Sequence, residues 1–166
     1  VANNALFTQA TQGQLDGTGI GSFNDRLRDA VHGGGPFDDD HRVFQGFGSG
    51  AFSDQNGLDT RPAQERRADY LHRVDLVKLG LVGNLKNYTM TTYDGQTVLG
   101  MKLDYNGQGA GFASSPVENV NYVDAHDNET LFDLVTYNMP ASAPMENRVR
   151  MSLMSQASVT LSQSPA

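Results

Sequence analysis

The sequence predicts an α/β fold built on parallel strands, and three observations carry that expectation. Two short strand-like runs each empty into a helix start: Gly19-Ile20-Gly21-Ser22-Phe23 into a helix over Asp25–His32, and Val120–Ala125 into one from about Glu129 to Asn138. The second run ends in His126, Asp127 and Asn128, polar groups standing where a parallel strand leaves its sheet and its side chains can meet a ligand. Two longer helical patterns, over 62–81 and 145–163, supply layers to pack against such a sheet.

Taken along the chain, residues 1–17 read as loop with one helical turn around Ala5 to Gln9. The glycine-thinned strand 19–23 follows, and Asn24 or Ser22 caps the helix Asp25–His32, in which Leu27 and Val31 share a face and Gly33 supplies the stop. Gly33 to Thr60 is a long irregular excursion rich in glycine and phenylalanine, the kind of loop that compact domains keep for function. Pro62 suits the first turn of the next helix, whose Tyr70, Val74, Val77 and Leu81 form one stripe while Glu65, Arg66, Arg73 and Asp75 lie largely elsewhere. Tyr88–Tyr93, Asp94-Gly95 and Gln96–Leu103 predict a β-hairpin with a tight turn. Within the strand 120–125, Val120, Tyr122, Val123 and Ala125 suit a sheet buried on both faces. The last helix, from Met145 to about Gln163, carries Val149, Leu153 and Ala157 at spacing four and other apolar residues around it, which predicts burial on more than one side.

Composition narrows the function classes. Twelve Lys and Arg against nineteen Asp and Glu give a net charge of −7 with no basic cluster, which excludes nucleic acid as a natural partner. With no cysteine the chain has no disulfide, thiolate metal site or cysteine nucleophile. No apolar run approaches the roughly 18 residues of a membrane span. The chain begins Val-Ala-Asn-Asn and ends Ser-Pro-Ala, and its two βα units close no sheet, so it is expected to be an internal piece of a longer protein.

On residues alone, the His126-Asp127-Asn128 run supports two readings. It could bind and polarise a substrate, or Asp127 or Asn128 could cap the following helix beside a histidine satisfied near the core. Asp38-Asp39-Asp40-His41 suits a divalent cation or a solvated loop. Asp54, Asn56 and Asp59 suggest a calcium loop, but Gly57 is misplaced for an EF-hand. Asn24, Asp25 and Arg26 suit a helix cap with a local ion pair, or a substrate contact at the strand exit. Phe37, Phe44, Phe47 and Phe52 could stack on a ligand or seal the structure beneath them. A metal-dependent phosphoesterase would need His126, Asp127, His41 and the Asp38–Asp40 run to converge on one ion. A non-catalytic binding module of the β-sandwich kind is disfavoured by the long helices.

Two segments, Gly19-Ile20-Gly21-Ser22-Phe23-Asn24-Asp25-Arg26-Leu27-Arg28-Asp29-Ala30-Val31 and Tyr122-Val123-Asp124-Ala125-His126-Asp127-Asn128-Glu129-Thr130-Leu131-Phe132-Asp133, resemble the pullulanase and limit-dextrinase branch of the α-amylase clan, the family 13 glycoside hydrolases. The similarity extends to Val1–Leu15 and to the loop from Asp38 to Asp59. The resemblance implies that residues 1–166 are a fragment of one catalytic domain, a partial (β/α)8 TIM barrel with an inserted hairpin and long loops. Ile20–Phe23 would be strand six, Val120–Ala125 strand seven, and the helix from Met145 would precede strand eight. It further implies a retaining hydrolase of α-1,6-glucosidic linkages in pullulan, limit dextrins and branched glucans, whose nucleophile Asp and acid/base Glu lie outside this chain. Asp127 would be the transition-state stabiliser, and His126 and Asn128 substrate contacts. An isoamylase or an α-1,4-acting amylase of the same clan would share the His-Asp pair. The family requires no cofactor, leaves room for a structural calcium in the parent, takes an α-glucan as partner, and favours a secreted or cell-surface setting slightly over the cytoplasm.

Overall fold

The computed structural model describes residues 10–35, 38–125 and 129–166. The expected helical turn at Ala5–Gln9 and residues 36–37 and 126–128 lie outside them. Among the described residues four α-helices carry the fold: α1 (Asp25–His32), α2 (Ala63–Leu81), α3 (Leu131–Asn138) and α4 (Met145–Thr160). Six short strands accompany them: β1 (Ser22–Phe23), β2 (Thr89–Thr91), β3 (Thr97–Leu99), β4 (Asp104–Tyr105), β5 (Gln108–Gly109) and β6 (Asn119–Val120). β1 and β6 pair in parallel, Ser22 with Asn119 and Phe23 with Val120, although 97 residues separate them in sequence. The expected parallel βα pair is therefore present, but each strand is shorter than its apolar run.

The reasons for the shortening are local. Gly17 and Gly19 hold φ of 77° and 74°, which ends extended backbone before Ser22. Glu118 fastens this lead-in, accepting from Gly19 N at 2.8 Å and from Ser114 N at 3.0 Å. On the β1 side the last bond of the ladder is Asn24 N to Val120 O at 2.9 Å, after which that chain enters α1, while the Asn121 N–H faces the other way and donates to Pro165 O at 3.0 Å. Of the residues expected in the interior of this run, Val123 is buried at 3% exposure, whereas Val120, Tyr122 and Ala125 are only half-buried.

The interior beside the strands is instead polar. Asn24, Asn119 and Asn121 are fully buried at 0% exposure. Asn121 Oδ1 accepts from Asn24 Nδ2 at 2.8 Å and Asn119 Nδ2 at 2.9 Å, while Asn121 Nδ2 donates to Gly80 O at 2.9 Å. Asn119 also donates to Ser164 Oγ at 2.7 Å. One knot thus ties β1, β6, the end of α2 and the chain beyond α4. Around it lies the apolar core, including Leu27, Val31, Leu76, Leu79, Val123 and Val135.

Both long helices depart from their expected faces. In α2 the buried set is Asp75, Leu76, Val77, Leu79 and Gly80, so its second half is enclosed on several sides and the stripe Tyr70, Val74, Leu81 is half-buried. Asp75, expected away from the core, is fully buried because it accepts from Tyr93 N at 2.7 Å and Lys78 Nζ at 2.8 Å, fixing the hairpin on the helix. In α4, Val149 and Leu153 are 42% and 59% exposed, and the inward face is Arg148, Ser152, Ser155 and Ser158. Small serines admit the backbone of the long loop: a Cβ on Gly48 would stand 2.0 Å from Ser155 Oγ. The hairpin β2–β3 forms as expected but not with a two-residue turn. Only Gly95 has positive φ, 84°, and Thr92 N donates to Gln96 O at 2.9 Å, a longer turn closed by a left-handed glycine. A second ribbon, β4–β5, turns at Asn106-Gly107 with φ of 52° and 81°.

Asn121→Ala removes the acceptor of the buried Asn24 amide, whereas Asn119 keeps Ser164 Oγ and Gly80 O keeps Gly83 N. Such an orphan costs about 1–3 kcal/mol, so urea denaturation is expected to show a loss of about that size.

Candidate functional site

The expected site residues His126, Asp127 and Asn128 lie outside the described residues, and the segments on either side of them define the site. Ala125 and Glu129 border a cleft whose walls include Arg28, His32, His41 and Tyr122. Arg28 and His32 come from α1, one turn apart; Tyr122 follows β6; His41 comes from the long loop. The cleft thus joins the exit of β6, the start of the next helix and the 33–60 excursion.

α1 forms where it does because Asn24 caps it, its Oδ1 accepting from Leu27 N at 3.2 Å, while Leu27 and Val31 bury their side of the helix completely. The opposite side presents Arg28, Asp29 and His32. Arg28 Nε donates to Asp29 Oδ1 at 2.8 Å, Arg28 Nη1 donates to the Tyr122 hydroxyl, and the guanidinium lies 5.4 Å from the centre of the Tyr122 ring. Asp29 also receives the Tyr105 hydroxyl at 2.5 Å. His32 Nε2 stands 2.6 Å from Val123 O, which makes it the protonated ring nitrogen, since a carbonyl can only accept. Burial lowers the His32 pKa below its ordinary value, outweighing the Val123 carbonyl that favours the cation, so the ring is neutral near pH 7.

Past the undescribed residues, the expected helix from Glu129 begins at Leu131. Its first N–H is accepted by Asp124 Oδ1 at 2.9 Å, so the capping role weighed for Asp127 or Asn128 is filled, at that N–H, by Asp124. Glu129 Oε2 lies 4.0 Å from His41 Nδ1, bringing the long loop to the other side of the cleft.

The remaining candidates serve the architecture. Asp25 pairs with Arg26, whose guanidinium sits 4.9 Å from the Tyr105 ring centre and 5.0 Å from that of Phe112. Asp38 accepts from Gly35 N at 2.8 Å. Asp40 pairs with Arg42 at 2.7 Å, and hydrogen bonds from the Arg42 side chain and backbone hold its carboxyl down to about 2. Asp54 accepts from Asn147 Nδ2 at 2.9 Å, Asn56 donates to Asn138 O at 2.9 Å, and Asp59 pairs with Arg61 at 2.6 Å. Among the described residues no three His, Asp or Glu side chains gather as metal ligands. Phe44 lies under Arg61 and Phe47 packs against the core, while Phe52, 75% exposed, stacks on Tyr70; Phe37 is outside the described residues. No helix among the described residues is long and apolar enough to cross a membrane.

Sequence reasoning missed Arg28, His32 and Tyr122. The signal was available: Arg28 and His32 stand at i and i+4 on the polar side of α1, opposite Leu27 and Val31.

The buried neutral His32 carries a pH signature. The unfolded chain takes up a proton as pH falls through about 6.5, whereas the folded chain resists until lower pH. Stability is therefore expected to decline as pH falls from 7 through about 6.5, and to level only where the folded ring, its pKa lowered by burial, is protonated too. A second loss follows below about pH 4 as Asp40, Asp59 and Asp16, all held low by their cations, are protonated. Thermal midpoints of the wild type against His32→Gln check this: the substitution should flatten the first decline and leave the second.

No family model matches the chain. It is 47% identical over 159 residues to the pullulanase of Klebsiella aerogenes, covering 95% of this chain and 14% of that protein. To Pullulanase 1, chloroplastic, of Arabidopsis thaliana it is 38% identical over 164 residues, 98% of this chain and 17% of that one. The crystal structure of the maltotriose complex of PulA from Klebsiella pneumoniae superposes with a TM-score of 0.86 at 46% identity, covering 93% of this chain and 16% of that one. The chain thus spans less than a fifth of the length of these relatives, and its mixture of helices and small sheets is that of a pullulanase segment. By sequence and by fold, this chain is a homologue of the pullulanases over one segment of their length.

Proposed function

We propose that this chain is the part of a pullulanase-type (β/α)8 catalytic domain that runs from barrel strand six to the helix before strand eight, and that its parent hydrolyses α-1,6-glucosidic linkages in pullulan, limit dextrins and branched glucans with retention of configuration. The observation that carries the reading is the parallel pair β1–β6 with the His126-Asp127-Asn128 run directly beyond it, in a chain 47% identical to a pullulanase over 159 residues. The order of neighbours supports the barrel assignment. β1 lies against β6, and after α4 the chain returns to β6, where Pro165 O accepts from Asn121 N at 3.0 Å, as successive parallel strands six, seven and eight would meet.

In this reading Asp127 holds hydroxyls of the sugar at the cleavage point. Those bonds strengthen as the ring flattens toward an oxocarbenium ion, and the carboxylate charge favours that cation. His126 donates to the same sugar and Asn128 adds a further contact. The carboxyl pair that makes and breaks bonds, a nucleophile Asp and an acid/base Glu, belongs to chain outside residues 1–166, so no carboxylate described above takes either role.

In the full-length parent, Asp127→Asn is expected to lower kcat on pullulan on the order of 10²–10³-fold with the fold intact, since it removes a charge and almost no volume. Survival of turnover within a few fold overturns the stabiliser role. Residues 1–166 expressed alone are expected to release no reducing ends from pullulan; clear release would place the bond-breaking carboxylates within this chain. Product analysis on pullulan against linear amylose separates α-1,6 from α-1,4 cleavage.

A further inference from the structure

We propose that His32, with Arg28 beside it, is a positioning residue for the sugar-holding run: the two side chains hold the backbone of Tyr122 and Val123, which leads toward His126 and Asp127, and so set where those groups meet the substrate. The assignment rests on the reading of residues 126–128 given above and extends it to α1.

Three consecutive residues ahead of His126 are each tied to a different place. Tyr122 receives Arg28 Nη1 on its hydroxyl, and the Phe23 ring meets it edge-on at 5.2 Å. Val123 O takes the His32 Nε2–H at 2.6 Å. Asp124 Oδ1 takes Leu131 N, at the start of α3, at 2.9 Å. The parallel ladder has ended at Val120, so β1 offers no donor at Val123; the imidazole supplies it.

α1 is a suitable anchor because it is fixed independently, by the Asn24 cap and by Leu27 and Val31 at 0% exposure. Arg28 is in turn oriented by Asp29, which also receives Tyr105. Displacement of a binding group by about 1 Å costs on the order of 10²-fold in rate, and Val123 precedes Asp127 by only four residues.

The test uses the full-length parent. His32→Leu keeps bulk but removes the donor, and is expected to lower kcat on pullulan on the order of tenfold or more with a smaller change in KM. His32→Gln, whose amide reaches the place of Nε2, is expected to restore most of that loss. In an Asp127→Asn background His32→Leu should add little, because both act through the same sugar-holding group. Should His32→Leu fail to fold, Tyr122→Phe, which deletes only the hydroxyl that Arg28 reaches, carries the test with a few-fold loss of kcat expected. An active parent whose kcat is unchanged by these substitutions, or in which the His32 and Asp127 losses simply multiply, overturns the assignment while leaving the glucan-hydrolase reading intact. A parent that does not cleave pullulan overturns both.

Discussion

The rest of the structure depends on one buried side-chain amide. Asn121 receives Asn24 and Asn119 on its oxygen and gives its nitrogen to Gly80 O, joining both strands to the end of α2 in the fully buried interior. A buried polar group left unpaired costs more than a made hydrogen bond returns, so this arrangement tolerates very little displacement of its members. It also enforces a close approach. A Cβ at Gly80 would stand 2.9 Å from Leu27 Cδ1, and glycine there lets α2 reach both α1 and the amide. Parallel pairing two residues long could not hold such distant segments by itself.

The described part of the 33–60 excursion is bound to the end of α1 largely through its backbone. Phe47 N and Gly48 N donate to Ala30 O and Val31 O at 2.9 and 2.8 Å, and Gly46 N to His32 O at 3.2 Å, so the loop satisfies carbonyls that the end of α1 leaves open. This needs bare backbone. Gly33 holds φ of 86°, and a Cβ on it would come within 2.0 Å of Phe44 O. Ser155 on α4 then closes over Gly48, its hydroxyl donating to Gly48 O at 3.2 Å. A segment that reads as irregular becomes a fixed wall, and it carries His41 to the cleft beside Glu129.

Helices were legible in the sequence because their signals are local. Asn24, Pro62 and Pro144 mark starts, and Gly33 marks a stop, through capping and backbone geometry that need no distant partner. Faces were less legible. The apolar spacing of Val149 and Leu153 is real, yet Ser152, Ser155 and Ser158 are the buried face, with Ser155 closing on the backbone of Gly48. The Asn106-Gly107 turn went unread although that dipeptide favours left-handed φ at both positions, which is how β4 and β5 are joined.

By itself the sequence determined the helix starts, the βα order, the hairpin after α2 and the candidate run His126-Asp127-Asn128, because caps, turns and short motifs are encoded in neighbouring residues. Only the tertiary structure decided how short the β1–β6 pairing is, that Asn24, Asn119 and Asn121 are the buried side chains beside it, and that Arg28 and His32 reach Tyr122 and Val123. Those contacts span more than 90 positions along the chain. Whether a polar side chain at such a distance is solvated or becomes an anchor depends on which partner packing brings to it, and no local pattern encodes that.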